Sequence, residues 1–69
     1  MKLDDIINKL REEIAEKDSL NFSVADERVL SFISVYRHGI EPYRTIAKEW
    51  LIRFAINNGF VRNKREVIV

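Results

Sequence analysis

Cysteine is absent from this 69-residue chain, so disulfides and thiolate metal sites are excluded, and composition leaves no trace of the redox compartment. With one histidine and two glycines there is neither a nucleophile-and-base set nor a glycine-rich phosphate loop. An enzymatic role is therefore not expected, and no catalytic residue, metal site or cofactor is assigned. No apolar run approaches the roughly eighteen residues of a membrane span. The opening MKLDDIINKL is amphipathic, with Asp4 and Asp5 breaking its apolar residues, unlike a secretory leader. The expectation is a soluble, cytoplasmic protein with no membrane partner. A single proline, with no linker, repeat or low-complexity stretch, points to one domain over residues 1–69. That is near the size at which one core only just suffices.

What is present is charge, unevenly placed. Residues 1–35 hold five basic and eight acidic side chains, a net of −3, whereas residues 36–69 hold seven basic and three acidic, a net of +4. An anionic partner would feel the second half. The acids Asp4, Asp5, Glu12, Glu13 and Glu16 fall on the solvent side of the first segment, where nothing perturbs them into catalytic groups.

Periodicity predicts the elements. Leu3, Ile7, Leu10 and Ile14, with Ile6 beside them, recur at helical spacing and form one narrow apolar stripe that ends at Asp18-Ser19. The stripe reads as core packing or as a seam between two copies. Leu20, Asn21 and Phe22 alternate over the length of a brief strand. Ser23 then suits a helix N-cap, with Asp26 placed to complete a capping box. The helix that follows presents Ala25, Val29, Phe32, Ile33 and Tyr36, with Leu30 at the margin. Gly39 is expected to stop it in a left-handed conformation.

Pro42 suits a first helical turn, so a third helix is expected over 42–58, closed by Gly59 with Phe60 packing back on the last turn. Tyr43, Ile46, Ala47, Trp50, Leu51 and Phe54 make its broad apolar face, and Arg44, Thr45, Lys48 and Glu49 point away. Ile52 and Ile56 lie on the Thr45 and Glu49 side, so the second half of the helix requires a cover there. After Gly59 the period becomes that of strands: 60–62 and 65–69, joined at Asn63 and Lys64. The expected fold class is mainly α with a small β-hairpin, in the order helix, strand, helix, helix, strand, strand.

That order, with Gly39-Ile40 between the second and third helices and Gly59-Phe60-Val61 opening a basic hairpin within GIEPYRTIAKEWLIRFAINNGFVRNKREVIV, resembles the winged helix-turn-helix family. The resemblance implies a homodimeric DNA-binding regulator of transcription whose partner is double-stranded DNA. Its third helix would place Tyr43, Arg44, Thr45 and Lys48 in the major groove, and a wing over 60–69 would place Arg62, Lys64 and Arg65 on the backbone. Polar residues on a helix are also the ordinary solvated face, and a charged hairpin tip also protects strand edges.

Two other readings fit the same order. One is a protein-interaction module that holds a larger partner on the Ile52 and Ile56 side. The other is a ribbon-helix-helix DNA-binding dimer with residues 20–24 as the intermolecular strand. A homodimer is expected through the Leu3, Ile7, Leu10, Ile14 stripe or through Ile52 and Ile56.

Overall fold

The computed structural model describes residues 1–18 and 20–69; Ser19, half of the turn expected at Asp18-Ser19, lies outside the described residues. Among the described residues the chain forms three α-helices, α1 (Leu3–Ala15), α2 (Val24–His38) and α3 (Tyr43–Asn57), followed by a 3-10 turn, Lys64–Glu66. The expected helix-strand-helix-helix-strand-strand order is overturned, because no strand or hairpin is found among those residues. Extended pairing is limited to one isolated parallel bridge between Lys2 and Ile68.

The stripe on α1 performs as its spacing predicts: Leu3, Ile6, Ile7, Leu10 and Ile14 are all buried. Asp4 and Asp5 occupy the first turn, where carboxylates meet the positive end of the helix dipole. The stripe faces the protein's own core, so it is not free to act as a seam between copies.

α2 begins with the expected capping box. The Ser23 hydroxyl accepts from the Asp26 amide at 3.2 Å and donates to Asp26 Oδ2 at 3.0 Å, while the Ser23 amide donates to the same oxygen at 2.9 Å. Lys17, just past α1, places its Nζ 2.9 Å from both Asp26 oxygens, so one carboxylate starts α2 and ties it to α1. Asp26 is buried, and these four bonds are what make its burial tolerable. The brief strand expected at 20–22, and with it the ribbon-helix-helix reading, gives way to a turn. Asp18 Oδ1 accepts from the Leu20 amide, the Asn21 amide and Asn21 Nδ2, each at 3.0 Å, which takes up amides that a ladder would need.

The two glycines end helices in different ways. Gly39 is not left-handed: its φ is −80° and its ψ −178°. Its amide donates to the Val35 carbonyl at 2.8 Å, and a Cβ there would lie 2.5 Å from that oxygen, so closeness of approach is what excludes a side chain. Gly59 has φ +80° and closes α3 as expected. The Gly59 amide donates to Ile56 O at 3.2 Å and the Phe60 amide to Ala55 O at 2.9 Å, satisfying carbonyls that the helix end leaves open. Phe60 packs against the core.

α3 is rotated relative to the expected face. Ala47, Leu51, Ile52 and Ala55 are its buried residues, whereas Tyr43 is 59% and Ile46 55% exposed. Trp50 and Phe54 are half-buried. Ile52 and Val61 and Val67 from the last segment join the α1 side chains in one cluster, with Ile56 packed against it. The core therefore takes the aliphatic side of α3, and the side reserved for a protein partner at Ile52 is already covered.

Residues 60–69 turn locally and then pair with the other end of the chain. Asn63 caps the 3-10 turn by accepting from the Arg65 amide at 2.9 Å, and Glu66 Oε2 accepts from the Arg62 amide at 3.0 Å. Beyond the turn, the Ile68 amide donates to Met1 O at 2.9 Å and the Leu3 amide to Ile68 O at 2.8 Å. A 3-10 turn thus stands where the wing was expected, and of the expected second strand only Ile68 pairs, with residues 1–3.

Candidate nucleic-acid interface

Six of the seven residues singled out from sequence divide into two groups, with Lys48 between them. Tyr43, Arg44 and Thr45 lie in the first turn of α3, beside the turn that joins it to α2. Arg44 Nε donates to the Tyr36 carbonyl at 2.9 Å, its guanidinium carbon lies 5.7 Å from the Tyr36 ring centroid, and its Nη1 is 3.8 Å from Glu41 Oε1. A side chain held by a carbonyl, a ring and a carboxylate is folded back onto its own protein. The Thr45 hydroxyl donates to Glu41 Oε2 at 2.5 Å and the Thr45 amide donates to the same oxygen at 3.3 Å. Glu41 thereby supplies the side-chain acceptor that Pro42, at the N-cap position, lacks. Tyr43 is exposed without a polar role. This first group serves the α2–α3 junction more directly than it serves any ligand.

The second group is brought together by the fold. The 3-10 turn packs on α3 so that Lys64 Nζ lies 2.9 Å from Glu49 Oε1 and 2.8 Å from Oε2. The Lys64 hydrogen bond holds the Glu49 carboxyl below its ordinary value of 4.5; burial opposes it, and the charges of Lys64, Lys48 and Arg53 add to it. A cation from the last segment is therefore held on a carboxylate of α3. Arg62, just before the turn, and Arg65, within it, lie on either side of Lys64 in the chain, both exposed, with their backbone fixed by Glu66 and Asn63. Among the described residues, Lys48, Arg53, Arg62 and Arg65 make no salt bridge. Against Glu49 and Glu66, these four and Lys64 leave the face at +3.

The Lys64 and Glu49 side chains are 65% and 46% exposed. An ion pair so placed contributes little to stability and exchanges readily for another anion. Lys48 stands between the two groups: half-buried, it shares a shallow depression with Tyr36, Glu41, Arg44, Thr45 and Val69. The residue that sequence reasoning missed is Arg53. Its signal was its place four residues after Glu49, on the same side of the helix; the arrival of Lys64 had no local signal.

No protein-family model, curated protein or solved structure matches the chain. The resemblance to the winged helix family rested on a hairpin that the structure replaces with a 3-10 turn, so it lends no further support. Among the described residues, no helix is long and apolar enough to cross a membrane.

Proposed function

We propose that this protein binds double-stranded DNA through its phosphates, using the face formed by Lys48, Arg53, Arg62, Lys64 and Arg65. The observation that carries this reading is the contact of Lys64 Nζ with both Glu49 oxygens, which sets the basic 62–65 segment against the helix that bears Lys48 and Arg53. At that place one anionic group already holds a cation from a distant segment. Phosphates spaced along a duplex offer such groups in series, and each neutralised phosphate releases condensed counterions. Backbone attraction, not base reading, is the mode this favours. Arg44, the residue suited to guanine, is held by Tyr36 and Glu41, and phosphate contacts position a protein without carrying sequence information.

The test is affinity for a random-sequence duplex as a function of salt. Three to five phosphate contacts correspond to a slope of log K against log salt of about −3 to −4.5. Replacing Arg62, Lys64 and Arg65 together with Ala is expected to flatten the slope by up to about 0.9 for each phosphate no longer neutralised. Replacing Lys9 and Arg11 of α1 should leave it nearly unchanged. Absence of binding at low salt, or a slope indifferent to the triple substitution, refutes the proposal.

A further inference from the structure

α3 carries a second apolar stripe that the core uses only in part: Trp50 and Phe54 pack against it, while the residues toward the N-terminal end of the helix stay exposed. Ile40, Tyr43, Ile46, Trp50 and Phe54 follow one another at spacings of three, three, four and four, which places them along one side of a helix. Ile40 precedes α3, but the Arg44 amide donates to its carbonyl at 3.1 Å, so it sits one turn below Arg44. Ile40, Tyr43 and Ile46 are 72%, 59% and 55% exposed. Trp50 stacks on Phe32 of α2, with ring centroids 4.2 Å apart and planes at 14°, and on Phe54 at 5.2 Å and 18°. The stripe is thus continuous along α3 and widened by a ring from α2, while Ala47, Leu51, Ile52 and Ala55 fill the core from another side of the same helix.

We propose that this stripe is the contact surface between two copies of the chain, paired about a two-fold axis. The fold is thin: its Cα envelope measures 34 × 27 × 16 Å, about the depth of two helix layers packed 8–10 Å apart. Its accessible surface of 5051 Å² exceeds by roughly 500 Å² the value of about 4500 Å² that a compact chain of this mass exposes. A stable interface covers about 800 Å² on each partner. The exposed parts of Ile40, Tyr43 and Ile46 with the edges of the aromatic rings supply roughly 400 Å² of this, close to the apolar share of an ordinary interface.

Glu41 is engaged by Arg44 and Thr45, so that end of the stripe presents no unbalanced charge to an approaching copy, while Arg53, seven residues after Ile46 on the same side of α3 and exposed, lies at the edge of the seam. An apolar stripe brought against itself satisfies both copies at once, as a closed two-fold contact requires.

Sedimentation without DNA tests this independently of the DNA-binding proposal. At roughly 100 μM, above the micromolar Kd at the weak end for an interface of this size, the wild-type protein is expected to run at twice its 8.2 kDa chain mass. Ile46→Asp should weaken association at least about tenfold, because a carboxylate would enter the seam without a partner, while helical circular dichroism stays unchanged. Trp50 emission should shift to the red on dilution of the wild type and be red-shifted at all concentrations in Ile46→Asp. If that variant loses its helical signal, Tyr43→Glu is judged by the same criteria. A wild-type monomer under these conditions overturns the proposal and leaves the stripe to a different protein. A variant that stays folded and dimerises as well as the wild type also overturns it.

Discussion

Replacing each glycine with alanine separates two reasons why a helix ends on glycine. At Gly59 an added Cβ meets nothing within 4 Å, but φ is +80°. The cost is therefore conformational, about 1–2 kcal/mol for an L-residue in the left-handed region. Loss of unfolded-state freedom offsets this by about 0.4–1 kcal/mol, leaving a net near 1 kcal/mol. At Gly39 the backbone angles suit alanine, yet the new Cβ would lie 2.5 Å from Val35 O and 3.1 Å from Val35 Cγ1. That oxygen accepts the Gly39 amide, so the clash is relieved only by stretching or breaking the bond that ends α2. The bond contributes about 0.5–1.5 kcal/mol, and groups left unpaired cost about 1–3. A total near 2–3 kcal/mol is expected for Gly39→Ala.

At about 4–8 °C per kcal/mol for a domain of this size, Gly59→Ala should lower Tm by about 4–8 °C and Gly39→Ala by about 10–20 °C. Thermal and urea unfolding followed by circular dichroism at 222 nm, a wavelength set by helical backbone, would measure both. D-alanine introduced at position 59 by chemical synthesis should restore or exceed wild-type stability, since positive φ suits it. A Gly39→Ala variant no less stable than Gly59→Ala would refute the steric argument.

Leu51 is fully buried, so Leu51→Ala should cost about 3 kcal/mol. That is a large part of the roughly 3–10 kcal/mol available to a chain of this length, and the variant's urea midpoint should fall accordingly. Acid should destabilise the fold. The Asp26 carboxyl is held below its ordinary 3.8, first by the Lys17 hydrogen bond and then by the Ser23 amide, and that of Glu49 below 4.5 by Lys64. Both groups are proton-free in the folded state where the unfolded state begins to bind protons. Their stabilisation is complete above those ordinary values and is lost as pH falls through them toward the lowered ones. Urea midpoints across this range should show Asp26→Asn with a flatter acid limb; an unchanged limb would remove Asp26 from the account. Glu49→Gln frees Lys64 and adds one positive charge to the face, so the salt dependence of DNA binding should steepen by up to about 0.9, and a shallower slope would contradict the proposed role of that carboxylate.

Much of this protein is legible in its local sequence. The α1 stripe, the capping box of Ser23 and Asp26 and the closure of α3 at Gly59 each depend on residues within a turn or two of one another, and the surplus of cations in residues 36–69 is a matter of composition. Spacing or composition alone exposes such features. Tertiary contact decided the rest. Alternation over 65–69 suggested a strand, but Lys64–Glu66 turn locally and only Ile68 pairs, with residues 1–3 at the far end of the chain. The large rings of α3 suggested its core face, but the aliphatic α1 side chains, Val61 and Val67 cover the Ile52 side and leave Tyr43 and Ile46 outside. For the candidate site, Arg44 was legible as a cation but not as one held by Tyr36 and Glu41, and Lys64 was legible as basic but not as the partner of Glu49. Periodicity reports which way a side chain points relative to its own element. Which surface arrives to meet it depends on contacts between residues far apart in the chain, and for those the local pattern contains no term.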